Sequence, residues 1–332
     1  MCGLFERIVS AGRGCGDWAY RIVGLIGALT LIVQTAATAS ATAKGPDSAT
    51  QVHERPVSFT VGGLTLAGTL TSPESEMPVP IILILHGLSG ERDGPRIAGD
   101  NRRLFQRTAD TWSQCGIASL RFSTRGKGGS HGHFVDMTLE GRIRETQAAI
   151  AWIRQQPGLN QEAIGILGYS QGATIAAVTA GRMARSGTIK ALHLWAPNLD
   201  PMAHYKKVVG INKLTRGLKA SEDEIVPFGR FGFKRAFYHD VWHLKPSAEI
   251  VPYRGPIQLI YGRRDRFAQP LDAEPFLRHH DGPHEIAVVD GGHHLGASIG
   301  PDATDKLAAA AADWFLAALP GDWEQCNGTW PD

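Results

Sequence analysis

The chain has 332 residues, 43% of them hydrophobic and 20% charged, with 34 Lys+Arg against 32 Asp+Glu. That balance excludes a disordered chain, and a net charge of +2 leaves no electrostatic footprint for nucleic acid. Four cysteines exclude a disulfide-dense mini-domain, and the length allows one large domain or two small ones, either with a proper core.

Residues 1–43 differ from the rest. Arg7, Arg13 and Arg21 precede the uncharged apolar run Ile22–Val33, and small residues follow, ending in Ala39-Ser40-Ala41 and Ala41-Thr42-Ala43. Basic, apolar, then small-x-small is the order of a secretory signal. The apolar run is shorter than the roughly 20 residues a spanning helix needs. Residues 1–43 therefore read as a signal peptide, with an uncleaved membrane anchor as the alternative. No twin-Arg pair is present, which favours the general secretory route. The expected location is secreted or periplasmic, and membrane contact is expected only if the segment stays as an anchor. Cleavage would remove Cys2 and Cys15 and leave Cys115 and Cys326 in a mature chain of residues 44–332. Asn327-Gly328-Thr329 fits the glycosylation acceptor pattern.

Beyond the leader, short apolar runs alternate with amphipathic segments. Val57–Val61 and Leu64–Leu70 alternate around Gly62-Gly63 and predict a hairpin. Ile81–Leu85 is a continuous apolar run, as in a strand buried on both faces. The spacing then predicts a helix over Arg103–Cys115, a strand over Ile117–Phe122 and a helix over Leu139–Gln155. Next come a strand at Ile164–Leu167 and an Ala-rich helix at Gln171–Arg185. Three further strands fall at Ala191–Trp195, Ile257–Tyr261 and Ile286–Val289, and a last helix covers Asp302–Leu319. The pattern implies an α/β fold: a mostly parallel sheet covered on both faces, with an antiparallel hairpin at one edge. Residues 198–254 break the rhythm and read as a small helical cap insertion over the carboxyl edge of the sheet. Its lysines and acids read as a solvated face. Its aromatics (Phe228, Phe231, Phe233, Phe237, Tyr238, Trp242) read as local packing or as a wall for substrate.

Gly168-Tyr169-Ser170-Gln171-Gly172 lies between a strand and a helix, the context that gives G-x-S-x-G its meaning. The glycines permit a tight turn that holds the Ser170 hydroxyl out at the sheet edge. A serine needs a base and donors for an oxyanion. His86-Gly87-Leu88 follows a strand, so the backbone N–H groups of Leu88 and Gln171 are the expected oxyanion donors. His86 itself reads as a brace for that loop. The base should follow an acid late in the chain. Asp265, just past a strand, is the expected acid, with Asp290 as the alternative. Gly291-Gly292-His293-His294 supplies the base, one of two adjacent histidines.

Together these residues resemble the α/β-hydrolase superfamily, most closely its serine esterase/peptidase branch with feruloyl (cinnamoyl) esterase-like members. The resemblance runs from about Arg55 to Leu319. It includes Gly63–Gly68, His86-Gly87-Leu88, Leu120-Arg121-Phe122, Arg125–Ser130, Gly168–Gly172, Gly262–Asp265 and Gly291–His294. Matching the last of these to the family's G-x-x-H selects His294 over His293, so the implied triad is Ser170, Asp265 and His294. Ser123 stands where the family loop often has Asp. The resemblance also places the first and last helices on one face of the sheet, so that Cys115 and Cys326 could pair.

Other chemistries lack their spacing. Lys127 is followed by Gly128, so Arg125–Ser130 is no phosphate loop, and no G-x-G-x-x-G opens a helix after the first parallel strand. His279, His280 and His284 match no zinc pattern and read as surface residues. The expectation is a hydrolase without cofactor or metal that cleaves a small-molecule carboxylic ester through an acyl-enzyme on Ser170. Peptidase, thioesterase and acyltransferase chemistry on the same triad are alternatives. A non-catalytic binding protein on the same fold is the alternative from another class.

Overall fold

The computed structural model describes residues 7–8, 52–324 and 326. Apart from Arg7–Ile8, the 1–43 segment lies outside the described residues, as does Asn327-Gly328-Thr329. No helix among the described residues is long and apolar enough to cross a membrane.

A nine-stranded sheet runs β1-β11-β10-β7-β6-β4-β5-β3-β2. Its members are β1 (Arg7–Ile8), β2 (His53–Val61), β3 (Leu64–Ser72), β4 (Val79–Leu85), β5 (Ala118–Phe122), β6 (Leu159–Tyr169), β7 (Ile189–Trp195), β10 (Ile257–Gly262) and β11 (His284–Val289). The six strands from β11 to β5 pair in parallel; β2, β3 and β1 are antiparallel at the edges. The opening hairpin closes at Val61↔Leu64, where Gly62 and Gly63 both take positive φ as a two-residue hairpin turn requires.

Strand alternation explains the layers. In β4, Ile81, Leu83 and Leu85 enter one core while Ile82 and Ile84 enter the other. Both faces are thus covered, and the continuous apolar run is accounted for. Helices α2 (Leu139–Ile153) and α3 (Gln171–Met183) cover the first face; α1 (Leu104–Gln114) and α9 (Pro301–Ala318) cover the second. Thr138 caps α2 by accepting from the Gly141 N–H at 2.8 Å. Helices α1 and α9 lie side by side: Trp112 Nε1 donates to the Ala308 carbonyl at 2.8 Å, and Arg107 grips Asp305 through two 2.6 Å bonds. Cys115 ends α1 and Cys326 lies beyond α9; the two are joined as a disulfide with Cα atoms 4.8 Å apart.

The segment between β7 and β10 holds α4 (Pro201–Val209), α5 (Ile211–Lys219), α6 (Arg235–His243) and α7 (Pro246–Glu249). It also holds a two-stranded hairpin, β8 (Val226–Phe228) with β9 (Phe231–Phe233), which a purely helical reading missed. The strands are three residues each, too short for an alternation signal, and Gly229 turns them with φ +59°. Four of its aromatics point inward. Phe233 stacks on Phe237 at 4.1 Å, and Phe228 meets Tyr205 at 5.0 Å and Phe237 at 5.1 Å. Phe228, Phe233, Phe237 and Tyr238 are buried, so local packing is their role rather than lining a substrate wall. His280 departs from its expected surface position: it is buried, with its ring stacked 5.9 Å from that of Tyr253. The last of the short helices, α8 (Glu274–Leu277), follows β10.

His193 sits on the α9 face of β7, its ring 5.2 Å from Trp314 and 5.5 Å from Phe315. Burial pushes its pKa down to about 3. The folded protein keeps this imidazole neutral while the unfolded chain protonates it below about pH 6.5, so its share of stability is present above that pH and lost as pH falls toward the folded value. Replacing His193 by Leu should therefore remove about 2 kcal/mol of the stability loss between pH 7 and pH 5, read from urea unfolding at the two pH values. Equal losses in both proteins would contradict it. For the disulfide, Cys326→Ser should cost about 2–4 kcal/mol in the same assay. In the intact protein neither Cys115 nor Cys326 should take up an alkylating label until a reductant is added.

Candidate active site

Ser170 follows β6 directly and is the N-cap of α3, with φ 54° and ψ −118°. A non-glycine residue is held in that region only by its surroundings. Two close approaches do the holding. A Cβ on Gly172 would lie 2.1 Å from the Leu85 carbonyl oxygen, and one on Gly168 would lie 2.6 Å from the Gly172 carbonyl oxygen. The start of α3 can therefore touch the end of β4 only because Gly172 lacks a side chain, and the end of β6 only because Gly168 does. The Ser170 N–H donates to the Trp195 carbonyl at 2.9 Å, which ties the turn to β7.

Asp265 lies past β10 with its side chain fully buried. Its Oδ1 accepts from the backbone N–H groups of Phe267 (2.8 Å) and Ala268 (3.3 Å), and its Oδ2 pairs with His293 Nδ1 at 2.8 Å. Burial pushes the carboxyl upward; the hydrogen bond and charge of His293 and the two N–H donors overcome it and hold the group below the usual carboxylate range. His293 Nε2 stands 3.0 Å from Ser170 Oγ. With Nδ1–H donated to the carboxylate, Nε2 is left as the acceptor for the serine proton.

The structure brings together Ser170, Asp265 and His293, and this corrects the expectation of His294. The Leu295 N–H donates to the Gly292 carbonyl at 2.9 Å, so His293 and His294 are the two central residues of one tight turn. Adjacent side chains on such a turn diverge, and the first faces the serine. His294 lies 6.3 Å from Tyr169, ring to ring, and contacts neither Ser170 nor Asp265 by a hydrogen bond; burial, then the neighbouring His293, lower its pKa. Asp290 pairs with Arg263 at 3.4 Å and takes no part.

Leu88 lies in the loop after β4, and Gln171 is the first residue of α3. Among the described residues neither N–H has an acceptor in the chain. A Cβ on Gly87 would come within 3.2 Å of Ser170 Cβ, so this loop packs directly on the turn that carries Ser170. His86 is buried; its Nδ1 donates to the Gly87 carbonyl (2.7 Å) and its Nε2 accepts from the Thr124 N–H (3.1 Å). Burial and then Arg142 push its pKa well down, so it braces the loop as a neutral ring.

Two participants carried no sequence signal. Arg142, on α2 and 3% exposed, donates to the His86 carbonyl and to Gln171 Oε1, both at 2.7 Å. Tyr205, on α4, accepts from Gln171 Nε2 at 2.8 Å. One buried guanidinium thus holds both segments that carry the free N–H groups, and the cap segment touches the same glutamine. Burial lowers the Arg142 pKa to about 10, so it stays charged at neutral pH.

A six-strand parallel sheet with helices on both faces, and a Ser–His–Asp chain on the carboxyl ends of β6, β10 and β11, is the architecture of the α/β-hydrolase fold. The comparisons agree on the fold: the chain has the α/β-hydrolase fold. The X-Pro dipeptidyl-peptidase (S15) family matches residues 62–222, just under half of the chain, a segment that includes Ser170 but not Asp265 or His293. No curated protein matches by sequence. Among solved structures, Est1E from Butyrivibrio proteoclasticus with ferulic acid bound superposes with a TM-score of 0.63 at 17% identity, over 79% of this chain and 98% of that one. The α/β hydrolase GrgF from Penicillium sp. sh18 gives 0.61 at 17%, over 81% and 99%. The esterase domain of a Rhodothermus marinus protein gives 0.57 at 18%, over 79% and 97%. These relationships support a hydrolase.

The geometry makes the two histidines separable. His293→Ala should slow the reaction of Ser170 with a fluorophosphonate probe by ~10³-fold or more, whereas His294→Ala should stay within about tenfold of the parent protein. A large loss confined to His294→Ala would reverse the assignment.

Proposed function

We propose that the protein is a serine hydrolase that cleaves carboxylic esters through an acyl-enzyme on Ser170. The observation that carries this reading is the unbroken hydrogen-bond chain Asp265–His293–Ser170 beside two N–H groups without acceptors. His293 Nε2 takes the Ser170 proton as Oγ bonds to the ester carbonyl carbon. The Leu88 and Gln171 N–H groups, the latter at a helix N-terminus, hold the oxyanion. Collapse breaks the bond to the alcohol oxygen, which leaves with the proton from His293. Water then gives its proton to His293 and its oxygen to the acyl carbon, which frees the acid and restores Ser170. Asp265, held ionised, stabilises the imidazolium formed in each half.

The esterase and ferulic-acid-bound neighbours favour the ester reading. The S15 match favours a second one, cleavage of an amide after proline. Thioesterase and acyltransferase chemistry would use the same groups. A secreted or periplasmic setting follows from the leader pattern, and a disulfide between Cys115 and Cys326 suits an oxidising compartment.

One panel tests these readings: aryl, aliphatic and hydroxycinnamoyl esters, plus an Xaa-Pro p-nitroanilide, with wild type and Ser170→Ala. Ester turnover by the wild type should fall by ~10³-fold or more in Ser170→Ala, and a fluorophosphonate should label Ser170 alone. Retained hydrolysis in Ser170→Ala, or no labelled serine, would overturn the mechanism. Faster turnover of the anilide than of any ester would replace esterase by peptidase.

A further inference from the structure

Arg142 is a buried cation bonded only to neutral groups. Its Nη1 donates to Gln171 Oε1 and its Nη2 to the His86 carbonyl. Among the described residues it joins no ion pair. Glu145, three residues further along α2, gives its carboxylate oxygens to the Thr124 hydroxyl and the Arg125 guanidinium instead. Burial outweighs the attraction of Glu145 and lowers the Arg142 pKa. A neutral side chain would fill this place without the desolvation cost that a charge carries there. The cation therefore calls for an explanation other than packing.

Its two acceptors supply one, because each belongs to a segment that presents a free N–H group. The His86 carbonyl is the root of a turn in which the Gly90 N–H donates to the Gly87 carbonyl at 3.2 Å, so Leu88 and Ser89 are its central residues. Gln171 is buried, and its side-chain amide is held at both ends, Oε1 by Arg142 and Nε2 by the Tyr205 hydroxyl. A guanidinium presents its N–H donors in a rigid planar fork, so one side chain fixes the spacing of the two segments it bridges. Spacing matters here because two oxyanion donors must converge on one oxygen, each at about 3 Å.

The charge has a role of its own. In acyl transfer a negative charge develops on the oxygen that the Leu88 and Gln171 N–H groups would hold. A cation behind those donors, in surroundings of low polarity, attracts that charge more strongly than it would in water. The resting protein carries the unfavourable burial of Arg142, and formation of the oxyanion offsets it.

We propose that Arg142 is a positioning residue of the oxyanion hole: it sets the separation of the Leu88 and Gln171 N–H groups, and its charge favours the tetrahedral oxyanion over the bound ester. The inference rests on the hydrolase reading above. The test compares two reversible inhibitors. One is a phenylalkyl trifluoromethyl ketone, whose carbonyl carbon bonds to Ser170 Oγ and becomes a hemiketal oxyanion. The other is the alcohol made by reducing that ketone, which binds without forming an oxyanion. Exhaustive titration of Ser170 with a fluorophosphonate sets the concentration of each protein. In Arg142→Gln the ketone should bind ~10²-fold more weakly, the scale of one lost oxyanion donor, while the alcohol stays within about threefold. Ester kcat/KM should fall in step with the ketone affinity. Arg142→Lys keeps the cation without the fork and should recover ketone binding to within about tenfold of wild type. It carries the same comparison if Arg142→Gln fails to fold. Equal weakening of ketone and alcohol, or unchanged ketone affinity, overturns the positioning role and leaves the hydrolase reading in place. Arg142→Lys no better than Arg142→Gln overturns the share assigned to the charge. A wild type that turns over no ester and whose Ser170 stays unlabelled overturns the hydrolase reading itself.

Discussion

The backbone at Ser170 is the constraint on which the rest of the site depends. A serine at φ 54° is stable only if strand end and helix start are pressed together, and Gly168 and Gly172 permit that approach. The consequences are geometric. The hydroxyl projects from the sheet edge, the Gln171 N–H is placed at a helix N-terminus, and the Leu85–His86 carbonyls lie against Gly172. A methyl group at Gly172 would push β4 from α3 and separate the two segments that carry the free N–H groups. Strain at one residue thus becomes preorganisation of the surrounding donors.

A buried polar network keeps that arrangement in register. Arg142 joins the His86 carbonyl to the Gln171 side chain, Tyr205 receives the other end of that glutamine, and the Thr124 N–H fixes the His86 ring. Glu145, one helical turn from Arg142, accepts from the Thr124 hydroxyl and pairs with Arg125 at 2.9 Å. Removing one member would leave a buried charge or carbonyl unpaired, a loss of about 3–5 kcal/mol for an ion pair. The network also sets the cap segment: Tyr205 belongs both to the aromatic cluster with Phe228 and Phe237 and to the hydrogen-bond chain under Ser170. Tyr205 thus ties the 198–254 segment to the turn that carries Ser170.

The parallel strands were legible because their burial on both faces forces continuous apolar runs, as Ile81–Leu85 shows. Ser170 was legible because its turn requires glycines two residues either side, and Asp265 because it follows a strand. His293 and His294 were not separable in this way. They occupy adjacent positions of one turn, and only the backbone path through Gly292 and Leu295 decides which ring faces the serine. Arg142 and Tyr205 left no trace, since their partners lie 29 and 34 residues away and no local pattern links them. The β8–β9 hairpin was hidden by its length. The aromatics of the insertion were visible, but their direction depends on packing among helices that no single-segment periodicity encodes.

The histidines show how environment, rather than residue type, assigns function. His86, His193, His204 and His293 all lie in or beside the core, and the first three have their pKa pushed down by burial. Each of those three is most stable as a neutral ring and so serves packing or bracing. His293 differs in having a buried carboxylate on Nδ1 and a hydroxyl on Nε2. In the proposed mechanism that carboxylate stabilises the imidazolium formed as the serine loses its proton, an arrangement the other three lack. Asp265, whose charge is secured by the Phe267 and Ala268 N–H groups of its own loop, determines the chemistry of a residue 28 positions further along the chain.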